Sequence, residues 1–373
     1  MITPDSPDLD PSWQDRVRRK LVEWYDRGHR DLPWRRSRDP YRILVSEMML
    51  VQTTVAAVVP YFERFLQQFP TLRDLARADE TDVVKAWEGL GYYRRARQLH
   101  AAAKIVCRDH GGVIPEDAEA ILALPGVGQY IAGAVLSFAF NRPAPVVEAN
   151  TQRVLARLLA WNGDLAKAAT QKRLWEAAER LVPERGAGQF NQALMELGAT
   201  VCTPRQPMCL VCPVSSECRA RKQGVQDQLP IKAAKPAPLI VEEACALVRR
   251  EGKLLVIQRG PGGLWEGFWE FPTIHISGVD PAGRCFEHPV DLDDGVFRLT
   301  GVRVKVGSIA HSVTFGVTKH RVTLRAYSTT DLGGIIIPYK GFVDAKFART
   351  EEIRENAMGS AVRKLANWAI ENG

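Results

Sequence analysis

Apolar residues recur at three- and four-residue spacing along Ile43–Phe65, Thr81–Glu88, Arg94–Arg108, Glu119–Phe140, Thr151–Ala160 and Thr170–Leu181. That period lays one face of an α-helix against a core. Pro33, Pro70, Gly111–Gly112, Pro115, Pro125–Gly128 and Pro143 punctuate these runs, so residues 12–222 read as a compact all-α region of short helices. The pattern changes after Cys218. RARKQGVQDQLPIKAAKPAPLIVEE is polar, basic and proline-bearing, which fits a linker. Beyond it come β-type runs at Ala244–Arg249, Leu254–Gln258, Val302–Ile309 and Val322–Tyr327, then helical segments at Thr350–Glu355 and Ser360–Glu371. Residues 240–373 therefore read as a separate α+β domain. No internal repeat and no long low-complexity stretch occurs.

Composition bounds this picture without redrawing it. The chain has 373 residues, 46% hydrophobic and 25% charged, which is globular and long enough for roughly two to three domains. No run of about 18 or more apolar residues predicts a membrane span, and the acidic start MITPDSPDLDPSWQD has no apolar core, so no secretory signal is expected. The net charge of +7 permits nucleic-acid binding without arguing strongly for it. Seven cysteines, four of them crowded into residues 202–218, suit a reduced, cytoplasmic compartment better than a disulfide scaffold.

Two patterns carry candidate chemistry. Cys202, Cys209, Cys212 and Cys218 stand as C-x6-C-x2-C-x5-C. Four thiolates this close along the chain can wrap one centre at little loop-closure cost. Zinc and an iron–sulfur cluster both take four such ligands, and spacing alone does not choose between them. Arg205, Arg219, Arg221 and Lys222 flank the ligands and can face phosphates. Cys107, Cys245 and Cys285 read as ordinary small hydrophobes. The second pattern is Leu124-Pro125-Gly126-Val127-Gly128 before the helix-forming QYIAGAVLSFAF. Such a turn points free N–H groups and the positive helix end outward, where a phosphate can sit.

These pieces together resemble the helix-hairpin-helix DNA glycosylases, and within them the adenine glycosylases of the MutY type. The resemblance covers almost the whole chain. It rests on Leu32-Pro33-Trp34-Arg35, Ser46-Glu47-Met48-Met49-Leu50, Gln52-Thr53, Gly89-Leu90-Gly91-Tyr92-Tyr93, Arg95-Ala96-Arg97, the Leu124–Gly128 hairpin, Asn191–Gly198 and the cysteine spacing. In the C-terminal part it rests on Trp265-Glu266-Gly267-Phe268-Trp269-Glu270-Phe271-Pro272. The resemblance implies a multidomain fold: an all-α glycosylase core with a [4Fe–4S] module, followed by an α+β Nudix-like domain. Its expected boundaries are 1–28 with 139–222 for the cluster module, 29–138 for a six-helix barrel carrying the hairpin, 223–239 for a linker and 240–373 for the Nudix-like domain. It also implies a monofunctional base-excision enzyme, a monomer on double-stranded DNA, removing adenine mispaired with 8-oxoguanine or guanine. The four cysteines would hold the cluster.

Adenine is a poor leaving group. Its removal needs a protonated carboxyl to donate to N7 and negative charge beside the oxocarbenium-like sugar, so two carboxyls must sit in different environments. Glu47 lies in the apolar stretch ILVSEMML, where its ionised form is disfavoured, and it matches the family's catalytic Glu. The family's second acid is an Asp in a D-G-N context. Here Glu148-Ala149-Asn150 stands at that place, one methylene longer and without the Gly, and Asn150 completes the expected catalytic set. Tyr130 takes the position at which endonuclease III-type lyases carry a Lys. A phenol cannot form a Schiff base, so strand cleavage is not expected.

By resemblance Arg30, Leu32, Trp34, Arg35 and Gln192 line the pocket for a flipped adenine. Gln52, Thr53, Leu90 and Tyr92, with Leu124, Gly126, Val127 and Gly128 of the hairpin, meet DNA. Val51 replaces the first of two glutamines usual before the Thr. The motif that inspects 8-oxoguanine matches at Val317-Thr318-Lys319, so Thr318 and Lys319 are the candidates, with His311-Ser312-Val313-Thr314 as an alternative register. No Glu-rich Nudix run follows Pro272, so nucleotide hydrolysis is not expected. Two other functions stay open. One is a lesion-binding protein with attenuated catalysis, suggested by Glu148, and the other is an endonuclease III-like glycosylase/lyase, disfavoured by Tyr130 and the second domain.

Overall fold

The computed structural model describes residues 10–231, 236–277, 291–339 and 341–372. Cys285 and part of the expected linker lie outside them. Contacts divide the chain into two units. The first takes the residues up to Ala78 and those from Arg97 to the linker; the second takes Asp79–Ala96 and everything from Pro236 on.

The first unit is helical: α1 (Pro11–Arg27), α2 (Pro40–Leu50), α3 (Val55–Gln68) and α4 (Leu72–Arg77), then most of α6 (Arg94–Asp109), α7 (Ala118–Leu122), α8 (Gln129–Phe140), α9 (Ala149–Leu158), α10 (Ala168–Leu181), α11 (Ala187–Thr200) and α12 (Arg219–Gln223). Where one periodic run spans Ile43–Phe65, two helices form. Gln52 adopts a left-handed φ of 58°, and Thr54 accepts from Ala57 N to cap α3. Helix α8 is apolar nearly all round and buried from Ile131 to Ser137, and it is packed by α2, α7 and α11. Trp13, Val17, Leu21 and Tyr25, at a four-residue spacing on α1, join the core of α9, α10 and α11. Leu229, inside the expected linker, is buried, and its carbonyl accepts from Arg157 Nε on α9 at 2.9 Å.

Among the described residues the second unit has α5 (Glu80–Ala86) and eight strands: β1 (Leu239–Leu247), β2 (Arg249–Arg250), β3 (Lys253–Arg259), β4 (Trp269–Glu270), β5 (Thr273–Ser277), β6 (Arg303–Val317), β7 (His320–Gly333) and β8 (Phe342–Ala348). One sheet runs β5-β1-β7-β6 with β1 and β7 parallel; in the other, β3 pairs with β2, β4 and β8. Both faces of the central strands are covered. Cys245 and Leu247 meet α15 (Ser360–Glu371), while Ala244, Ala246 and Val248 meet α13 (Leu292–Thr300). This double burial is why the run reads as continuously apolar. The helix α14 (Thr350–Glu355) precedes α15. The sequence pattern did not announce α13 or β8, and it stopped β6 eight residues short, because bulges after Val306 and Ile309 interrupt its alternation.

Gly133 on α8 marks a close crossing. A Cβ there would lie 2.1 Å from the carbonyl oxygen of Pro145. Gly133→Ala should lower stability by about 1–3 kcal/mol, the usual cost of overpacking against backbone, read as a reduced midpoint in denaturant unfolding. An unchanged midpoint would show that this crossing is not tight.

A candidate active site in the helical unit

A cavity of about 130 Å³ opens among α2, α8, α9 and α11. Glu47, Tyr130, Glu148, Asn150, Arg30, Leu32, Trp34, Arg35, Gln192 and Thr53 all line it. Each acidic group has its own environment. Glu47 sits mid-helix on α2 and is 2% exposed. Burial raises its carboxyl pKa to about 7; the Glu148 charge adds to the rise, and the Tyr130 hydroxyl, which donates to Glu47 Oε2, and Arg35 oppose it. Tyr130 is brought there by the first turn of α8, immediately after the glycine hairpin.

Glu148 is the N-cap of α9. Its Oε1 accepts from Thr151 N at 2.9 Å, and its Oε2 accepts from Asn150 N at 2.8 Å and Asn150 Nδ2 at 3.2 Å. Burial raises its pKa, but these three N–H donors and Arg153 oppose that shift. Its position at the positive end of α9 works in the same direction. Capping and cavity lining are thus one geometry here: the cap bonds aim the carboxylate from an extended backbone of φ −132° and ψ −177°.

Sequence reasoning passed over Glu196. It is 2% exposed on α11, one turn from Gln192. Arg30 donates to it through Nε at 2.7 Å and Nη2 at 2.8 Å, and Arg35 Nη2 donates at 2.8 Å. Burial alone would raise its pKa, but the two guanidiniums bring the carboxyl down to about 2. Glu196 therefore fixes both arginines at the cavity wall. The only trace of it in the sequence is an acid inside the otherwise apolar run ALMELGAT; its pairing with arginines more than 160 residues upstream appears only in the fold. Tyr25 hydroxyl donates to Gln192 Oε1 at 3.0 Å, which leaves the Gln192 amide to present N–H groups.

The other candidates lie elsewhere. Leu124 and Val127 are buried in the hairpin, and Gly126 takes φ 78° with Gln98 Cβ only 2.7 Å from where its own Cβ would be. Gly128 begins α8 with no side-chain cap, so the first N–H groups of that helix are not satisfied by a capping side chain. Gln52 is exposed on the α2–α3 turn. Leu90 is buried and Tyr92 is 54% exposed in the Gly89–Tyr93 turn of the second unit, with Tyr92 at φ 48°. Thr318 and Lys319 form the two-residue turn between β6 and β7, both exposed, with Thr318 at φ 51°. His311–Thr314 lies within β6, where His311 stacks on Trp368 at 4.7 Å, so that register is strand rather than loop.

The four cysteines form no disulfide and line one small cavity of about 30 Å³, together with Arg157. Burial pushes the Cys212 thiol up to about 12 and raises Cys218 as well. Among the described residues, no three His, Cys, Asp or Glu side chains converge closely enough for a single ion.

Both parts of the chain match known proteins. Residues 45–180 match the HhH-GPD superfamily of base excision DNA repair proteins, and residues 244–368 match the NUDIX domain. The adenine DNA glycosylase of Rattus norvegicus is 35% identical, covering 93% of this chain and 77% of that protein. The chain belongs to the adenine DNA glycosylase family. A second family member, from Arabidopsis thaliana, is 39% identical over 96% of this chain and 65% of its own length. The human member is 39% identical but is spanned over only 57% of its length. Among solved structures, a thermostable thymine-DNA glycosylase superposes with TM-score 0.51 at 33% identity, covering 58% of this chain and all of that one.

The raised Glu47 pKa has a stability consequence. A carboxyl whose folded pKa lies above its unfolded value of 4.5 holds more protons folded than unfolded between 4.5 and about 7. Stability is therefore lost as pH rises through that window. Glu47→Gln should remove this penalty and be more stable than wild type at pH 8, by at most about 3 kcal/mol, with the difference vanishing below pH 4.5. Equal midpoints at pH 8 would show that Glu47 is not held in a desolvated site.

Proposed function

We propose that this protein hydrolyses the N-glycosidic bond of adenine mispaired with 8-oxoguanine or guanine in double-stranded DNA, and does not cut the strand. The observation that carries the reading is the convergence of Glu47, Tyr130, Glu148 and Asn150 with Arg30, Arg35 and Gln192 on one cavity. Glu47, protonated near neutrality, donates its proton to adenine N7. The bond from N9 to C1′ then breaks with its electron pair leaving on the base. Glu148, ionised and pinned by three N–H donors, stabilises the cationic sugar until water adds at C1′. The proton shed by that water restores Glu47. Tyr130 orients Glu47 through its hydroxyl and offers no amine for lyase chemistry.

DNA would be held at the uncapped N-terminus of α8, which suits a phosphate. Gln52 and Tyr92 are its wedges, and Thr318 and Lys319 the contacts to the opposite base. Gln52, Tyr92 and Thr318 are non-glycine residues in left-handed backbone and exposed at turns, a costly conformation that proteins retain where a side chain must be presented.

We further infer that Cys202, Cys209, Cys212 and Cys218 hold a [4Fe–4S] cluster. The four cysteines line one void, in the C-x6-C-x2-C-x5-C spacing that the resemblance ties to a cluster, which supports this reading. Metal analysis of the purified protein tests this directly: about four iron and four labile sulfides per chain are expected, and stoichiometric zinc would overturn it.

Single-turnover assay on an adenine:8-oxoguanine duplex tests the activity. Adenine release without strand nicking is expected, with a rate that falls as pH rises through about 7, where Glu47 loses its proton. Glu148→Ala should slow release by roughly 100–1,000-fold, the usual weight of a preorganised charge. Tight binding with no release in wild type would favour the lesion-binding reading, and nicking without alkali the lyase.

A further inference from the structure

The second unit holds a charged network that this chemistry leaves unused. Arg363 on α15 donates from Nε to Glu88 Oε1 at 2.6 Å and from Nη2 to Glu88 Oε2 at 3.3 Å. The two side chains are only 18% and 13% exposed. Arg363 also donates to the carbonyls of Ile353, at 2.7 Å, and of Asn356. Lys85, on α5, donates to Glu88 Oε2 at 3.0 Å and to the carbonyls of Arg354 at 2.8 Å and Asn356 at 3.3 Å. The two cations thus satisfy the carbonyls that end α14, where positive charge is favoured. Through Glu88 they tie that helix end to the segment before the Gly89–Tyr93 turn.

The turn is also fixed on its far side. Tyr93 meets Phe268 edge to face at 4.4 Å, and its hydroxyl accepts from Gly89 N at 3.2 Å. Trp87 Nε1 and Arg95 Nη2 donate to the Gly91 carbonyl at 3.3 and 3.2 Å. Gly89, Gly91 and Tyr92 all have positive φ, of 105°, 70° and 48°. The two glycines take these angles at little cost, but Tyr92 is a non-glycine residue in the left-handed region, which persists only where its surroundings over-determine it. Here the anchors on both flanks, Arg363 for Glu88 and Phe268 for Tyr93, come from the C-terminal chain, while the exposed tip is Tyr92.

We propose that the Arg363–Glu88 pair positions the Gly89–Tyr93 turn, so that the C-terminal part of the chain sets how Tyr92 enters the DNA stack and how long the adenine stays flipped. The proposal rests on the reading of this protein as a base-flipping adenine glycosylase. A wedge must hold open the gap that unstacking creates, and a turn released at Glu88 would yield instead. Arg363 is then a positioning residue that acts through Tyr92.

A double-mutant cycle on the full chain tests this. The readouts are 2-aminopurine fluorescence, with that base in place of adenine opposite 8-oxoguanine, and single-turnover adenine release. Arg363→Met and Tyr92→Ala should each reduce both by roughly tenfold, the scale of coupling inside one network. The double variant should be no worse than Tyr92→Ala alone, and Arg363→Lys should recover part of the loss. Glu88→Gln takes the place of Arg363→Met in the cycle if that variant does not fold. Losses that multiply in the double variant would mean that Arg363 only stabilises the fold, and they would overturn the proposal while leaving adenine excision standing. Fluorescence that brightens in wild type without adenine release would overturn excision and leave the positioning role intact.

Discussion

A carboxyl sealed among apolar side chains cannot stay ionised cheaply, and the first unit is arranged around that constraint. Glu47 is carried by α2, whose residues from Ile43 to Met49 are all buried, so the helix that brings the acid to the cavity also removes its water. Desolvation in that setting shifts a pKa by units rather than tenths. Tyr130 works against the shift by donating to the same carboxyl. The outcome is an acid poised near neutrality rather than one locked in its neutral form. The hairpin before α8 serves this directly: Gly126, closely packed against Gln98 and Met48, lets the chain turn sharply enough for Tyr130 to reach Glu47.

The second acid is kept different by backbone. Glu148 takes its three hydrogen bonds from the first turn of α9, so the same helix that presents the carboxylate also supplies the charge that favours its ionised form. One turn further on, Arg153 is buried and donates to Asn150 Oδ1 at 2.9 Å, the Gly198 carbonyl at 2.7 Å and the Cys202 carbonyl at 2.7 Å. Arg157, 2% exposed, donates to the carbonyls of Leu229, Thr203 and Pro204 and to Cys202 Sγ. Two buried guanidiniums are tolerable only with such a complete set of acceptors. Together they tie α9 to the loop that carries the cysteines. Gly198 permits the approach: a Cβ there would sit 2.7 Å from Asn150 Cβ.

Much of this was legible in the sequence because it rests on local pattern. The apolar surroundings of Glu47 announce a raised pKa, the hairpin glycines announce the turn, and helices α14 and α15 fall where the periodicity put them. What was not legible depends on partners distant in the chain. Glu196 gains its role from Arg30 and Arg35, more than 160 residues upstream. The break at Gln52 inside one apolar run is set by a left-handed residue and a threonine cap rather than by hydrophobicity. Glu148 is both the N-cap of α9 and the candidate catalytic carboxylate. The two are the same here because the cap bonds leave the carboxylate at the cavity wall.

Burial gives the chemistry its selectivity, but presentation to DNA requires the opposite, exposed side chains held still. In the function proposed above, the chain would meet that demand by strain in its turns. Gln52, Tyr92 and Thr318 adopt φ of 58°, 48° and 51° at exposed turns, each costing about 1–3 kcal/mol that its surroundings must offset. The enforcement differs in each case. Gln52 lies between the end of α2 and the threonine cap of α3, and Thr318 closes a hairpin in which its hydroxyl and His320 Nδ1 lie 3.2 Å apart. Tyr92 has its guanidinium neighbour Arg95 over the ring at 5.4 Å. A helix, a strand or a packed neighbour therefore stands beside each residue. A side chain presented in this way loses little further conformational freedom on meeting a duplex, so binding energy can go toward opening the stack rather than ordering the protein.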